Sequence, residues 1–295
     1  MSRILCIGDA MVDVIVQLQE PINTGSDTQS EITMLSGGAA ANTATWLAAS
    51  GTEAYFAGRV GSDAAGEGFI AELDRFGVRH GEMRIHGERT GIVVVLVDHN
   101  GERTMFPDSG ANSGIGAHDL PPLTDFDAVF LSGYSLYNPK STKNVQAMIS
   151  EMKSAGLSII FDPVSVGTMK NFGREKVIAE LENFDCLILN REEALFLAGI
   201  DDLNLAAREL HKYVSSVVIK TGAEGSIGIG TQNEIFTSPS QAVRVLDTTG
   251  AGDSFAAGFI PEWLKNRDLI SAMKAGNQLA AQCVALLGAR PRLNT

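Results

Sequence analysis

The chain is poor in the residues that build metal centres, disulfide frameworks and membrane spans. It has five histidines and three cysteines in 295 residues, and their spacing does not match that of a zinc site. Cys6, Cys186 and Cys283 are odd in number and stand in apolar runs, which predicts buried, reduced thiols. No apolar run approaches the roughly 18 residues of a membrane span, and a charge follows the start too soon for a signal peptide. We therefore expect a soluble, cytoplasmic protein with no membrane partner and no structural zinc.

The patterns of two large nucleotide-binding classes are missing as well. Neither GxxxxGKS nor GxxxxGKT occurs, and residues 8–13 do not form the dinucleotide-binding pattern GxGxxG. The formal net charge of −12 argues against a surface that coats phosphates, so no nucleic-acid partner is predicted. Hydrophobic residues make up 44% of the chain, which suits a large core and argues against disorder.

Short apolar strands alternate with helical stretches along the chain. The predicted strands are 3–8, 128–132, 157–161, 185–189 and 217–220, with an antiparallel stretch over 227–236, and the predicted helices include 38–50, 142–155 and two that close the chain. This alternation predicts an α/β fold: a doubly wound, mostly parallel sheet flanked by helices, in a single domain over 1–295. Ligands bind at the carboxyl ends of such strands. Asp162, Asn190, Thr221 and the turn 247–253 fall there.

A second set of strands lies outside this alternation. Residues 12–18 and 31–35 have strand character, and 91–98 and 102–106 flank a hairpin turn. We expect a small β-sheet lid formed by segments about 12–36 and 91–107. Its apolar face needs a ligand or another subunit to cover it, which predicts a homodimer. Arg103, near the hairpin turn, is a candidate to reach substrate or phosphate; the alternative is a solvated arginine.

The run 247–255 has the features of a phosphoryl-transfer site. Gly250 and Gly252 permit a tight turn into a helix that begins with small and apolar residues. The free N–H groups of a first helical turn bind anions and stabilise charge on a transferring phosphoryl group. Asp253 stands beside them and is a candidate general base for an attacking hydroxyl. The alternative is an ordinary capped helix.

These segments together resemble the ribokinase-like carbohydrate kinase family, also called the PfkB family. One signature region is similar to residues 37–42 (GGAAAN) through 58–66 (GRVGSDAAG), and the other to residues 247–258. The resemblance spans essentially the whole chain. It implies a doubly wound core with a β lid over the sugar, and ATP-dependent phosphorylation of a sugar or nucleoside hydroxyl.

The resemblance also implies roles for particular residues. Asp253 matches the family's catalytic base, and Gly250, Ala251 and Gly252 match its anion hole. The substrate-binding positions match Asp13, Gly37, Gly38 and Asn42. The nucleotide-binding positions match Asn190, Lys220, Thr221, Gly222, Gly225 and, in the adenine pocket, Asn277. For Asp13 and Asn277 the alternatives are a solvated strand acid and a polar group inside a helix.

Metal roles follow from the same resemblance. Asn190 and Glu193 match an NxxE element that organises Mg²⁺ and phosphate, with Glu193 acting through water. Asp247 and Thr249 match positions that help to form a monovalent-cation site, a K⁺ site, in some members. The expected small molecules are therefore ATP, Mg²⁺ and, at the second site, K⁺.

Departures from the family patterns leave the substrate open. Met11 makes the pocket more apolar than in ribokinases proper, and residues 8–13 look closer to the fructokinase and aminoimidazole-riboside kinase branches. Residues 162–165 (DPVS) are similar to those of pseudouridine kinases. We predict a kinase of a small sugar of the fructose, ribose or keto-sugar type. A nucleoside kinase of the pseudouridine or riboside type and a catalytically silent sugar-binding regulatory module are the alternatives. Pro261 is expected to end or kink the helix that follows the base.

Overall fold

A computed structural model describes residues 2–292, and the strands in this range form sheets of nine, four and two strands. The strands are β1 (Arg3–Ile7), β2 (Met11–Leu18), β3 (Ser30–Gly37), β4 (Glu53–Ala57), β5 (Val60–Gly61), β6 (Arg79–His80), β7 (Arg84–Ile85), β8 (Gly91–Val97), β9 (Arg103–Asp108), β10 (Ala128–Ser132), β11 (Ser158–Asp162), β12 (Cys186–Asn190), β13 (Ser216–Lys220), β14 (Ser226–Ile229) and β15 (Ile235–Ser238). The helices are α1 (Ala39–Ala49), α2 (Ala64–Phe76), α3 (Gly133–Tyr137), α4 (Thr142–Ser154), α5 (Val166–Phe172), α6 (Arg174–Glu180), α7 (Arg191–Ala198), α8 (Leu203–Leu210), α9 (Ala251–Asn266) and α10 (Leu269–Val284).

The large sheet is doubly wound, as predicted. Its order is β15-β14-β13-β12-β11-β10-β1-β4-β6, and every pair from β13 to β6 is parallel, while β14 and β15 continue the sheet antiparallel. From β1 the sheet grows toward β4 on one side and toward β10 on the other. The strand order therefore switches between β1 and β10, where such sheets bind their ligands.

Both faces of the large sheet are buried. Ile4 and Cys6 of β1 belong to a core shared with α1, α2, α9 and α10, whereas Leu5 and Ile7 face a second core shared with α3 to α8. Successive side chains of a strand point to opposite faces. This explains why the strands of the large sheet are apolar runs rather than alternating ones.

The predicted small sheet is also present, in the order β3-β2-β8-β9. The register pairs Val14 with Met34 and with Val94, and Val94 with Phe106, so one row of side chains crosses all four strands. Asp13, the neighbour of Val14, lines a cavity next to the large sheet. Because alternate residues face opposite ways, the row through Val14 lies on the face turned away from that cavity.

Pro261 was expected to end or kink its helix, and it does not end it. Helix α9 runs from Ala251 to Asn266 through the proline. Phe255, Phe259 and Trp263 on its buried face stack with ring centroids 6.0 and 6.1 Å apart, and α9 packs against α1 and α10. Tertiary packing of this face compensates for the one main-chain hydrogen bond that proline cannot donate.

Two further findings concern the cysteines and the membrane. The three cysteines are free and buried, as predicted. Burial raises the pKa of the Cys283 thiol to about 11, so it is protonated at neutral pH. Among the helices of residues 2–292, none has the length and apolar character needed to cross a bilayer.

Candidate active site

A large cavity lies at the carboxyl edge of the large sheet, next to the small sheet. Its volume is about 1810 Å³, above the roughly 300–1,000 Å³ that a single drug-sized ligand occupies. Predicted site residues on its wall are Asp13, Gly38, Asn190, Glu193, Lys220, Gly222, Gly225, Ala251, Gly252, Asp253 and Asn277. The structure thus brings together residues from segments that are far apart in the chain, with room for two ligands side by side.

Asp253 lies in the first turn of α9, where the sequence predicts an anion-binding turn. Gly250 precedes the helix with φ 77°, in the left-handed region, and a Cβ there would lie 2.5 Å from the carbonyl oxygen of Ala289. Only glycine fits both conditions. Burial raises the pKa of Asp253 to about 6, against the hydrogen bond from Asn42, which lowers it. The carboxylate is therefore ionised at neutral pH and basic enough to accept a proton.

Asn42 is buried behind Asp253 and links it to a side chain that sequence analysis missed. Its Nδ2 donates to Oδ2 of Asp253 at 2.9 Å, and its Oδ1 accepts from Nε of Arg290 at 3.1 Å. Both ends of the amide are thus engaged within the protein. The predicted substrate-binding role of Asn42 stays a prediction, and its observed contacts hold Asp253.

Asp13 faces the cavity from the small sheet. Burial raises its pKa to about 6, while the charge of Arg290 lowers it. A Cβ on Gly37 would lie 2.5 Å from the Asp13 carboxylate, and a Cβ on Gly38, which has φ 94°, would lie 2.0 Å from the carbonyl oxygen of Asp9. The two glycines therefore let the start of α1 pack against Asp13 and the end of β1.

Lys220 joins the acids at the ends of neighbouring strands. Its Nζ donates to Oδ2 of Asp162 at 2.8 Å. Burial lowers the pKa of Lys220, but the charges of Asp162 and Glu193 outweigh this effect and hold the pKa above its ordinary value. A Cβ on Gly252 would lie 3.1 Å from the same Nζ, so the ammonium group also lies beside the first turn of α9. Asp162 falls at the edge that the sequence predicts, but its pairing with Lys220 is visible only in the structure.

Glu193 caps helix α7 together with Asn190. Its Oε2 accepts from the Asn190 backbone N at 2.7 Å and its Oε1 from the Asn190 Nδ2 at 2.6 Å. Burial, with the charge of Asp162 in addition, raises the pKa of Glu193 above its ordinary value. Both oxygens have protein donors, which leaves their remaining lone pairs for water.

The predicted nucleotide residues divide into two groups. Gly222, Gly225 and Asn277 line the cavity, and the Asn277 Nδ2 is anchored by the Ser238 carbonyl oxygen at 2.9 Å. Thr221 is outside this lining, and its backbone N closes the turn onto the Gly225 carbonyl at 2.8 Å. The segment before α9 also contributes wall residues that sequence analysis did not assign to the site, namely 240–243 and 245.

Arg103 connects the small sheet to the turn before α9. Its Nη1 donates to Thr249 Oγ1 at 3.3 Å, and its Nη2 lies 3.6 Å from Asp247 Oδ1. Asp247 also accepts from Thr249 Oγ1 at 2.6 Å and from the Gly288 N at 3.0 Å. Burial raises the pKa of Asp247, but these hydrogen bonds and the Arg103 charge outweigh this effect and hold the pKa below its ordinary value. The cation-site and substrate roles of these residues stay predictions.

Sequence analysis also missed Asp9 and Tyr134, which line the cavity. Ser135 Oγ donates to Asp9 Oδ1 at 2.8 Å, and burial raises the pKa of Asp9 despite that hydrogen bond. Its position directly after β1, at the switch in strand order, is a signal that sequence alone contains. Within residues 2–292 no group of three or more histidine, cysteine or acidic side chains is arranged to hold a metal ion.

The fold and this edge site define an α/β protein that binds small molecules at a topological switch point. The pfkB family carbohydrate kinase model matches residues 1–295, and the chain belongs to this family. An uncharacterized sugar kinase of Archaeoglobus fulgidus is 32% identical over 246 residues, which cover 82% of this chain and 96% of that protein. The fructokinase of Klebsiella pneumoniae is 28% identical over 294 residues, with coverage of 97% and 92%.

Comparison with solved structures supports the same family. The crystal structure of adenosine kinase from Sinorhizobium meliloti superposes with a TM-score of 0.88 at 25% identity, covering 98% of this chain and 96% of that one. The predicted family and the ribokinase-like fold are therefore confirmed. The protein is a carbohydrate kinase, a phosphotransferase of the sugar and nucleoside kinase family, and its substrates are small molecules.

Proposed function

We propose that this kinase transfers the γ-phosphoryl group of ATP to a hydroxyl of a small sugar, with Asp253 as general base. The observation that carries the proposal is the half-buried Asp253 carboxylate, which lines the cavity at the glycine-bounded start of α9. A sugar held between Asp13 and Asp253 would have one carboxylate for recognition and one for proton transfer. ATP would occupy the wall formed by Gly222, Gly225 and Asn277.

Each group has a defined task in this proposal. Asp253 takes the proton of the attacking hydroxyl, which lets the oxygen attack the phosphoryl group in line. The turn Gly250–Gly252 directs backbone N–H groups at the transferring oxygens. Lys220 adds a fixed positive charge beside that turn, and Asp162 holds it in place. Closure of the small sheet over the sugar would exclude water, which otherwise competes for the phosphoryl group.

We propose Glu193 and Asp162 as the protein groups that hold Mg²⁺ through its waters. The donor set fits, because Mg²⁺ prefers oxygen ligands and keeps several waters. Glu193 already accepts two hydrogen bonds from Asn190, which suits an indirect role. When bound, Mg²⁺ would neutralise charge on the ATP phosphates. A K⁺ site at Asp247 and Thr249 stays a prediction; the carboxylate already has Arg103 as a cationic neighbour.

A nucleoside kinase is the second candidate. Met11, Val93, Val95 and Met105 form an apolar wall near Asp13, which would suit the flat face of a base. Fructokinase and adenosine kinase are both among the similar proteins. A sugar is favoured because the chain also resembles an archaeal sugar kinase at the highest identity reported above. We expect the location to be cytoplasmic, in keeping with three free, buried thiols.

A substrate panel tests the proposal. Hexoses, pentoses and nucleosides are each incubated with ATP and Mg²⁺, and ADP release is measured against an acceptor-free control. We expect at least one sugar to raise ADP release about 100-fold or more over the control, since a bound water is a poorly positioned acceptor. Turnover restricted to nucleosides would show that the protein is a nucleoside kinase, the second candidate, and not a sugar kinase. Sugar binding without turnover on any acceptor would favour the regulatory module.

We also propose that the small sheet forms a homodimer interface. On the face turned away from the cavity, Met34 is 63% exposed, Ile32 is 61% exposed and Phe106 is 54% exposed. With Val14 and Val94 between them, they form an apolar surface that spans the sheet. A surface of this kind marks a protein contact in a soluble protein.

Changing Met34 and Phe106 together to glutamate is expected to convert a dimer to a monomer, because two charges per protomer would be buried without partners. Sedimentation velocity measures the mass before and after the change. Leu205→Glu, a control on an exposed leucine of α8, should leave the mass unchanged. A monomeric unmodified protein at all concentrations would contradict the interface.

A further inference from the structure

The segment after α10 carries a buried arginine next to the cavity. Arg290 is 8% exposed. Its Nε donates to Asn42 Oδ1 at 3.1 Å, its Nη2 donates to the Gly37 carbonyl oxygen at 3.2 Å, and its Nη1 lies 3.1 Å from Glu72 Oε2. Burying a guanidinium is costly unless it is paired and hydrogen-bonded. The Glu72 carboxylate supplies the ion pair and Nε and Nη2 make hydrogen bonds, whereas Nη1 has no hydrogen bond of good geometry. These contacts connect α1, the end of β3 and α2.

The backbone around Arg290 is fixed as well. The Ala289 carbonyl oxygen accepts from Trp46 Nε1 at 2.9 Å, and the Gly288 N donates to Asp247 Oδ2 at 3.0 Å. The guanidinium lies over the ring of Phe69, 5.1 Å from its centroid. The segment therefore has little freedom to move away from α1 or from the turn before α9.

Arg290 determines which end of the Asn42 amide faces Asp253. Arginine has only donors, so its Nε must meet the amide oxygen. The amide nitrogen is then directed to the other side, where it donates to Asp253 Oδ2. If the amide flipped, its oxygen would face the carboxylate and its nitrogen would face the guanidinium, and both hydrogen bonds would be lost. The arrangement has one favourable orientation.

We propose that Arg290 is a positioning residue for the phosphoryl transfer: through Asn42 it holds the Asp253 carboxylate in the orientation that accepts the hydroxyl proton, and through Gly37 it fixes the end of β3, which packs on Asp13. The proposal rests on the proposed function of Asp253. Glu72 anchors the guanidinium from α2. Residue 290 lies about 250 positions from residues 37 and 42 in the chain, so the arrangement depends on the fold.

The charged and titratable groups around Asp253 are Asp162, Lys220, Arg290, Tyr134 and Cys283. Burial raises the pKa of Tyr134 to about 12, so neither it nor Cys283 changes charge near pH 6. Of the cations, Lys220 is paired with Asp162, whereas Arg290 reaches Asp253 through Asn42. Removal of Arg290 should therefore move the titration of Asp253 upward.

The test compares Arg290→Met, Arg290→Lys and the control Arg267→Met. Arg267 also stacks on an aromatic ring, 3.8 Å from the Trp263 centroid, but is exposed and belongs to the far end of α9. We measure kcat and KM for ATP, the pH profile of kcat/KM, and the titration of the Asp253 carboxyl by ¹³C NMR, with the resonance assigned by its absence in Asp253→Asn.

For Arg290→Met we expect kcat to fall about 10- to 100-fold with KM for ATP within about twofold, as misorientation of a catalytic group predicts. The pKa read from the acid limb of the kcat/KM profile and the pKa of Asp253 read by NMR should both rise by about half a pH unit or more. Arg290→Lys keeps the charge, but the lysine side chain cannot reach both the Asn42 Oδ1 and the Gly37 carbonyl oxygen. The kcat of Arg290→Lys should fall about fivefold or more, while the pKa of the acid limb of its kcat/KM profile stays nearly unchanged. The control should match the wild type.

Arg290→Met leaves the Glu72 carboxylate without its partner, so the same measurements are made on Arg290→Met combined with Glu72→Gln. A folded variant without the guanidinium that keeps wild-type kcat and an unmoved Asp253 titration overturns the proposal. So does a fall in thermal stability with no change in either titration. If the NMR titration moves but the kinetic limb does not, Asp253 is not the base, and the proposed function fails together with this inference.

Discussion

Asp253→Asn is expected to lower kcat by about 10³-fold, within the 10²- to 10⁴-fold range that general acid–base catalysis contributes. An amide cannot accept the hydroxyl proton, yet it has nearly the shape of the carboxylate. Sugar and ATP should therefore bind within a few-fold of wild-type affinity. Isothermal titration calorimetry measures binding, and ADP release measures turnover.

The pH dependence gives the same experiment a second readout. The pKa of Asp253 is raised to about 6 by burial, and the base must be deprotonated to act. The kcat/KM of the wild type should therefore fall as the pH drops through about 6, and the residual activity of Asp253→Asn should lack that limb.

Asp268→Asn is the matched control for this substitution. Asp268 caps α10 by accepting from the backbone N of Ile270 at 3.0 Å, and asparagine is an equally good cap. Its turnover should be unchanged. If Asp253→Asn kept wild-type turnover, the base assignment would be wrong, whereas loss of sugar and ATP binding would point to a structural role instead.

Lys220→Met is expected to damage both stability and activity. The largely buried ammonium group neutralises Asp162, with Glu193 nearby. Removing one partner of a buried ion pair typically costs about 3–5 kcal/mol, because a charge is left without compensation. The loss of a fixed positive charge beside the first turn of α9 should lower kcat about 100-fold or more. Urea unfolding and ADP release measure the two effects.

A double substitution separates the two effects. Combining Lys220→Met with Asp162→Asn removes the uncompensated carboxylate, so most of the stability should return while the activity stays low. Lys212→Met is the control, because Lys212 pairs with Glu209 on the surface and exposed pairs contribute little. Full recovery of kcat in the double variant would show that Lys220 acts only through folding.

Much of the site could be predicted because its features are local in the chain. The left-handed turn at Gly250 and the acid three residues later lie in one short run of the chain, so their geometry follows from short-range sterics and helix-end chemistry. Asp162, Asn190 and Thr221 could be assigned to one edge from the strands that precede them, because parallel strands end on the same side of a sheet.

Other features could not be predicted. Arg290 follows the last predicted helix and has no local pattern that distinguishes it from a surface arginine. Its partners Asn42 and Gly37 lie about 250 positions away in the chain. Thr221 was assigned to the nucleotide by its place in a motif, and this role stays a prediction; the turn that its backbone N closes onto Gly225 is visible only in the structure. Pro261 was expected to end or kink α9 because it lacks an N–H, and that α9 continues through it, with a stacked aromatic face, is visible only in the structure.

The amino-acid sequence by itself determined the order of strands and helices, the family, and the acid at the glycine turn, since these depend on hydrophobic periodicity and on consecutive residues. Only the tertiary structure decided which side chains meet: Lys220 with Asp162, and Arg290 with Asn42 behind Asp253. Such pairings form where the packed elements exclude water, so that a buried charge must find a partner wherever the fold supplies one.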